Sequence, residues 1–342
     1  MKYLSLFSGI GGFECAIALS SKAKKKEFEC LGFAEIDKLA TKVYLEHFPD
    51  HPLLGDITQV DFRPFRGQVD LVVGGFPCQD LSSIRNLHLS KTKGKKDKGL
   101  TDGIEGERSG LFFEFLRCLE ECQPRFFLME NVASMSKANR DKISELIGVE
   151  PVLLNSQDFT AQKRGRLFWF NFKAPLKPFH PSLNHFNDIL VPKKEARKLA
   201  CSERLVKYFL APLSGAKKVA SKKTKKKTRL ETYKGFYYDT RKEKTPCLLA
   251  SGRAIVLDYR FTSFEQSSKK KPLFRKLAQV EAERLQGFPD GWTSSLSYTA
   301  SIKRLGNAVT VPVVYHILCS LEQSSRDRGI EEKKTLELYK NG

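Results

Sequence analysis

A few side chains in this sequence have the types and spacing that covalent chemistry needs. In "GGFPCQDLS", Cys78 follows the apolar, β-branched run "VDLVVGG", which reads as a buried strand entering a turn. The carboxyl end of a strand is where open α/β sheets place their ligands, and Pro77 stiffens the backbone just before the thiol. A thiol held there can serve as a nucleophile, although most free cysteines are packing material. In "MENV", Glu130 and Asn131 end another strand. In "QKRGRLFW", Arg164 and Arg166 alternate about Gly165, so both guanidinium groups are expected on one face of a strand. A structural salt bridge or ordinary surface arginines would look the same. A second group suits a nucleoside. "FSGIGGFE" follows a strand and opens a helix, and Gly9, Gly11 and Gly12 let the backbone approach a ligand closely. Glu35 ends the next strand, where a carboxylate accepts ribose hydroxyls. In "GDITQV", Asp56 can take an adenine amino group and Ile57 can pack on the ring. A dinucleotide fits such a pocket as well as S-adenosylmethionine does.

The elements that must position these groups are legible in residues 1–171. "KYLSLF", "EFECLGFAEI", "VDLVVGG", "RFFLMENV" and "GRLFWFNF" read as strands. "FECAIALSSK", "DKLATKVYLEHF", "SGLFFEFLRCLEEC" and "RDKISELIGV" read as helices. This rhythm implies a mostly parallel sheet with helices on both faces. It fades after Phe172, where Pro175, Pro178, Pro181 and Pro192 come in succession, and helical patterning returns near Leu277 in "LAQVEAERLQGF" and "VPVVYHILCSLEQ". Cys118 and Cys122 share a helical face without a nearby histidine or second cysteine pair, so no metal site is expected there. No apolar run approaches the ~20 residues of a membrane span. Unpaired thiols without an export signal point to a cytoplasmic protein.

Charge separates the same regions. The chain carries a net +20, and residues 172–275 hold 26 Lys and Arg against 8 Asp and Glu, while the other residues hold 33 against 31. That cationic segment also contains "RLVKYFLAPL" and "TPCLLASGRAIVLDY", so it is not a bare solvated tail. A polyanion is its natural partner, and nucleic acid is the commonest one.

In their order, "FSGIGG", "GGFPCQ", "MENV", "QKRGR", "EAERLQGFPDGW" and "GNAVTVP" resemble the motifs of the DNA (cytosine-5) methyltransferases of bacterial restriction–modification systems. The "DLS" after Pro-Cys-Gln and the run "GLFFEFLRCL" are also similar to the de novo branch. The resemblance covers residues 1–171 and about 277–316. It implies a Rossmann-like S-adenosylmethionine-dependent domain over 1–171 and 277–342, with a smaller, basic target recognition domain over 172–276. By this resemblance Cys78 is the thiolate that adds to carbon 6 of a flipped-out cytosine. Glu130 would hold N3 and the amino group of the base, and Arg166 its carbonyl oxygen. Arg164 would grip backbone phosphate, and Gln162 would position its loop. S-Adenosyl-L-methionine, leaving as S-adenosylhomocysteine, would be held by Phe7, Gly9, Gly11, Gly12, Glu35, Ile36, Asp56, Ile57, Gly75, Pro77, Leu111, Asn307 and Val309. Duplex DNA would meet Gln79, Ser82, Arg164 and the lysines 222, 223, 225, 226 and 227. The expected state is a monomer, with a cognate endonuclease not stably bound. The segment between Cys78 and "GLFFEF" is longer than the family's usual mobile loop and rich in lysine. Three rival readings are a transfer-RNA cytosine methyltransferase of the same lineage, a binding protein without catalysis, and a dinucleotide oxidoreductase.

Overall fold

The computed structural model describes residues 1–24, 27–77, 110–174, 185–210, 237–250, 254–261 and 272–321. Seven strands form the main sheet: β1 (Lys2–Leu6), β2 (Glu29–Ala34), β3 (Leu53–Gly55), β4 (Leu71–Gly74), β5 (Phe126–Val132), β6 (Val152–Asn155) and β7 (Gly165–Phe170). Between them run α1 (Gly12–Lys24), α2 (Lys38–His47), α3 (Leu111–Cys122) and α4 (Lys137–Ile147). The strand order is β3-β2-β1-β4-β5-β7-β6. Neighbours pair in parallel except β7, which is antiparallel to both β5 and β6. This is the α/β, mostly parallel arrangement expected of a Rossmann-like methyltransferase domain.

Each central strand feeds two cores because successive side chains point to opposite faces. On β5, Phe126 and Leu128 pack with Phe13 and Ile17 of α1. Phe127 and Met129 face the other way, against Phe112 and Phe115 of α3. All seven residues of β5 are buried, as a strand with helices over both faces must be. Cys118 and Cys122 do fall on one buried face of α3, their sulfurs 3.9 Å apart, with Cys122 directed at the carbonyl of Phe62.

Beyond β7 come the short helices α5 (Lys193–Lys198) and α6 (Glu203–Leu210) and a separate three-stranded sheet of β8 (Tyr237–Asp239), β9 (Ile255–Asp258) and β10 (Leu273–Lys276). The chain then returns through α7 (Gln279–Gln286), α8 (Tyr298–Asn307) and α9 (Val311–Leu318), whose Val313 and Ile317 complete the core over α1. A buried charge network ties the small sheet to α7. Arg275 is fully buried and donates to Asp258 at 2.8 Å and to the two oxygens of Glu281 at 2.7 and 2.9 Å. Removing one member of such a network strands an uncompensated charge and typically costs about 3–5 kcal/mol. Among the described residues no helix is long and apolar enough to cross a membrane.

Candidate active site

The strand order reverses between β1 and β4, and a cleft of about 280 Å³ opens at the carboxyl ends of the strands there. Its walls include Phe7 and Gly9 after β1, Glu35 to Asp37 after β2, Asp56 and Ile57 after β3, and Gly75 to Pro77 after β4. Leu111 of α3, Glu130 to Val132 of β5, Arg164 and Arg166 at β7, and Arg304 to Val309 around the end of α8 close it. Every residue assigned by resemblance to the cofactor lies on these walls except Gly11, which turns toward the rings of Tyr44 and Phe48.

Local backbone explains much of the shape. Phe7 has φ of 55°, a left-handed conformation that costs a bulky side chain roughly 1–3 kcal/mol and so marks a place where the surroundings impose the geometry. Gly12 has room only for hydrogen: an added Cβ would lie 2.7 Å from the Val309 side chain, which is how the first helix and the loop after α8 come close enough to share a wall. Glu35 is fixed by three backbone N–H groups, from Gly9 to Oε2 at 2.8 Å and from Ile36 and Asp37 to Oε1 at 2.9 and 2.8 Å. A carboxylate has roughly four acceptor positions, so capacity for a hydroxyl donor remains. Asp56 caps a short 3₁₀ turn through Oδ1, which accepts from Thr58 N at 3.0 Å. Ile36 is 71% exposed, an apolar side chain offered to solvent beside these carboxylates.

The other end of the cleft holds the charged pair. Arg166 and Glu130 come from adjacent strands, where Arg166 sits opposite Val132 and Glu130 opposite Phe168, and Arg166 Nε meets Glu130 Oε1 at 2.9 Å. Burial pushes the Glu130 carboxyl above the usual carboxylate range, and the Arg166 and Arg164 guanidiniums offset this only in part. Asn131 pins the neighbouring turn: its Nδ2 donates to the Phe76 carbonyl at 3.1 Å and its Oδ1 accepts from Val132 N at 2.7 Å. Pro77 is therefore held on the wall beside Glu130. Cys78, Gln79, Ser82, Lys222, Lys223, Lys225, Lys226 and Lys227 lie outside the described residues.

One of the expected roles does not fit the geometry. Arg164 is 2% exposed, and its terminal nitrogens go to protein, Nη1 to Leu248 O at 3.0 Å and Nη2 to Gly306 O and Ala308 O at 3.1 and 2.7 Å. A guanidinium buried this way does not reach a phosphate at the surface. Gln162 is fully buried and does not line the cleft. Its Nε2 donates to Leu285 O at 2.7 Å and Gln286 Oε1 at 2.8 Å, and its Oε1 accepts from Leu248 N at 3.1 Å. Alternation about Gly165 suggested a shared face, but Arg164 precedes β7 and turns into a joint between segments.

A family model for C-5 cytosine-specific DNA methylase matches residues 1–323. The chain belongs to that family. It is a DNA (cytosine-5-)-methyltransferase, and its relatives include proteins named as Type II methyltransferases. Type II methyltransferase M1.ScrFI of Lactococcus lactis subsp. cremoris is 29% identical over 327 residues, covering 92% of this chain and 76% of that protein. Type II methyltransferase M.HhaI of Haemophilus parahaemolyticus is 28% identical over 351 residues, covering 95% of each. The fold is shared with the Entamoeba histolytica methyltransferase EhMeth, at a TM-score of 0.67 and 14% identity over 93% of this chain and 96% of that one.

The methyltransferase family uses S-adenosylmethionine as methyl donor, and the walls of the cleft fit that molecule. Glu35 and Asp56 are acceptors for hydroxyl and amino donors, and Phe7, Ile36 and Ile57 supply apolar surface. Arg304 and Cys247 have no signal in the motifs by residue type or spacing. Cys247 takes Arg164 Nη1 at 3.3 Å. Burial alone would raise its thiol, but the guanidiniums of Arg164 and Arg166 outweigh it and bring the thiol below its ordinary range.

Proposed function

We propose that the methyltransferase acts on a cytosine flipped out of duplex DNA at a specific sequence, through a covalent bond from Cys78. The thiolate sulfur adds to carbon 6 of the ring, carbon 5 takes the methyl group, and loss of the carbon-5 proton then expels the thiolate and restores the aromatic ring. S-Adenosylmethionine supplies the methyl group when bound between Phe7, Glu35, Asp56 and Asn307. Glu130 hydrogen-bonds the base at N3 and its amino group, and its raised affinity for a proton suits it to meet charge that builds on N3 during addition. Arg166 holds the Glu130 carboxyl in place and faces the carbonyl oxygen of the base. Residues 172–276 read the target sequence, and the lysines of 222–227 meet phosphate. The protein works as a monomer with no stably bound endonuclease.

The observation that carries this reading is one cleft with two chemically distinct ends. Acceptors for a nucleoside lie after β2 and β3, and the Glu130–Arg166 pair lines the same cleft as Pro77, the residue before Cys78. Family membership favours DNA over transfer RNA as substrate. The test is a duplex carrying 5-fluorocytosine at the methylated position, found first by bisulfite sequencing in a methylation-free host. The fluorine cannot leave as a proton does, so the wild-type enzyme should be trapped on DNA and the Cys78→Ser variant should not. Appreciable methylation by the serine variant, or methylation of transfer RNA in preference to duplex DNA, would overturn it.

A further inference from the structure

Arg241 stands in the turn that leaves β8, and 60% of its side chain is exposed. Despite that exposure it is held on two sides. Its Nε donates to Asp239 Oδ1 at 3.0 Å and its Nη2 to Asp239 Oδ2 at 2.7 Å. Its guanidinium carbon lies 3.7 Å from the centre of the Tyr259 ring, a cation–π stack. Both holders are themselves fixed. Asp239 is largely buried, and its Oδ1 also accepts from Arg241 N at 2.9 Å. Tyr259 N donates to Thr240 Oγ1 at 2.9 Å, and Thr240 is buried.

Stability does not account for this arrangement. An ion pair in contact with solvent contributes little to folding, and holding a long side chain in one geometry costs rotamer freedom. What the arrangement does is leave one edge of a fixed cation open. A guanidinium has N–H donors on all three nitrogens. Asp239 takes the one on Nε and one on Nη2, which leaves those on Nη1 and the other on Nη2, without partners among the described residues. The Nη1–Nη2 edge is therefore free to meet two acceptors side by side. The other arginines described in the basic segment are placed differently. Arg260 and Arg275 spend donors on the buried Asp258. Arg197 lies 5.4 Å from the centre of the Phe261 ring, and among the described residues neither it nor Arg204 has a carboxylate to orient it.

The turn also stands beside the cleft. Lys244 Nζ donates to Thr160 O at 3.1 Å, Thr245 N to Ala161 O at 2.7 Å and Lys163 N to Thr245 O at 2.9 Å. Arg164 and Arg166, next along the chain, line the cleft. Arg241 precedes Thr245 by four residues, a reach of at most about 14 Å. Stacked base pairs are about 3.4 Å apart, so that distance spans roughly four pairs of a duplex. We propose that Arg241 is a specificity-determining residue that reads a guanine of the target in the major groove, its Nη1–Nη2 edge donating to O6 and N7, with Asp239 and Tyr259 holding the guanidinium in place. Guanine presents two acceptors side by side in that groove, and arginine matches them with two parallel hydrogen bonds. Because the side chain is ordered before DNA arrives, little of its freedom is lost on contact. This rests on the proposal that residues 172–276 read the target sequence, and it names the base that one of them selects.

The test measures methylation rates on the duplex found by bisulfite sequencing, with each guanine replaced in turn by 7-deazaguanine, which pairs normally and lacks only the N7 acceptor. At one guanine the replacement should slow wild type by roughly tenfold or more. Arg241→Ala should methylate the unmodified target roughly fivefold to a hundredfold more slowly, and the replacement at that one guanine should no longer matter. Asp239→Asn, which loosens the hold on Arg241, should show a smaller penalty at the same guanine than wild type does. Both variants should bind S-adenosylhomocysteine and unfold in urea as wild type does, because the pair lies at the surface. If Arg241→Ala kept the wild-type sensitivity at every guanine, the assignment would fall. It would fall equally if that variant weakened binding to target and non-target duplexes alike and lowered the salt slope by about one unit, because the side chain would then meet phosphate. A wild-type enzyme with no preferred sequence would sink the target-reading proposal itself, whereas a preferred sequence read without Arg241 would sink only this assignment.

Discussion

Replacing Glu14 with glutamine should remove most of a pH dependence built into the stability of the fold. Glu14 lies in the first turn of α1, two residues after Gly12, and is 1% exposed. Neither of its carboxyl oxygens has a well-formed hydrogen bond. The surrounding groups are Tyr3, Ser5, Cys15, Cys30 and Tyr44, which stay neutral between pH 5 and 8 because burial pushes the Cys15 and Cys30 thiols up to about 12 and raises both phenols. Burial is the dominant influence on Glu14 and lifts it from 4.5 to about 7, while the hydroxyls of Ser5 and Tyr44 draw it back only in part. The helix dipole favours an ionised carboxylate at this position by roughly 0.3–1 kcal/mol, too little to overcome burial.

The sign follows from proton uptake. Below about pH 4.5 both the folded and the unfolded carboxyl are protonated. Between 4.5 and about 7 the folded protein keeps a proton that the unfolded chain has released, so stability falls as pH rises, and above about 7 the loss is complete. A gap of about 2.5 pH units at about 1.4 kcal/mol each is worth about 3 kcal/mol. Glutamine cannot ionise, so this loss should be absent from the variant whatever its amide costs at a fixed pH. His51, hydrogen-bonded to Tyr44 at 2.9 Å, is held below its usual range by burial and contributes the opposite slope, but it does so in both proteins and cancels in the comparison. Urea unfolding of both proteins at pH 5, 6, 7 and 8 measures the difference. Relative to Glu14→Gln, wild type should lose about 2.5 kcal/mol between pH 5 and 8, since part of the loss already lies below pH 5. A difference between the two proteins that is constant with pH to within about 1 kcal/mol would refute the reasoning.

Three further substitutions probe the site. Glu130→Gln should slow single-turnover methylation by roughly 10²–10³-fold and leave cofactor affinity within about twofold, since the carboxyl belongs to the base end of the cleft; lost cofactor binding in calorimetry would mean the ends are wrongly divided. Gly306→Ala would bring a Cβ within 2.4 Å of Ala250 N and 2.5 Å of Leu249 C, both backbone, so it should cost about 1–3 kcal/mol in denaturant unfolding and weaken cofactor binding; unchanged behaviour in both would show that the 249–250 segment gives way freely. Changing Lys222, Lys223, Lys225, Lys226 and Lys227 together to glutamine should weaken binding to all duplexes alike and flatten the log–log salt dependence by up to roughly four units; a changed target preference would mean that the run reads bases.

The residues expected to hold the cofactor fall on one cleft largely because they are local in sequence. A strand, a glycine turn and a helix follow one another within "LSLFSGIGGFECAIAL", Glu35 ends a later strand of the same rhythm, and Asp56 stood out only through "GDITQV". In the catalytic part the elements that escaped were β3, β6 and α8, and in the basic segment α5, α6 and β8 to β10. The first two are three and four residues long and partly exposed, too short to show a period, and α8 is mixed in composition over "YTASIKRLGN". Arg304 escaped with α8, since the carboxylate it bonds, Asp37, lies 267 positions away in sequence. The antiparallel β7 was hidden for a related reason: "GRLFWF" is apolar enough for a central strand, and direction within a sheet leaves no mark on composition.

The arginine and glutamine of "QKRGR" show where motif reading and packing part company. Read as a line of text, the motif suggests a row of groups facing a substrate. In the fold only Arg166 meets Glu130, while Gln162 and Arg164 knit together three stretches of chain: 247–248, 285–286 and 306–308. Gln286 extends the joint to Leu305 O at 2.5 Å, and Thr310 and Ser156 extend it further through bonds of 3.1 and 2.8 Å. Apart from Arg164 Nε, which has no partner, these buried polar groups are bonded, and such a network fixes one arrangement and penalises others, because any slip strands several donors at once. The stretch 247–248 lies in the basic segment, and 306–308 contains Asn307 of the cleft wall. Arg164 thus ties that wall of the cleft to the basic segment through one side chain. Displacing the 247–248 segment would therefore be felt at 306–308 through Arg164.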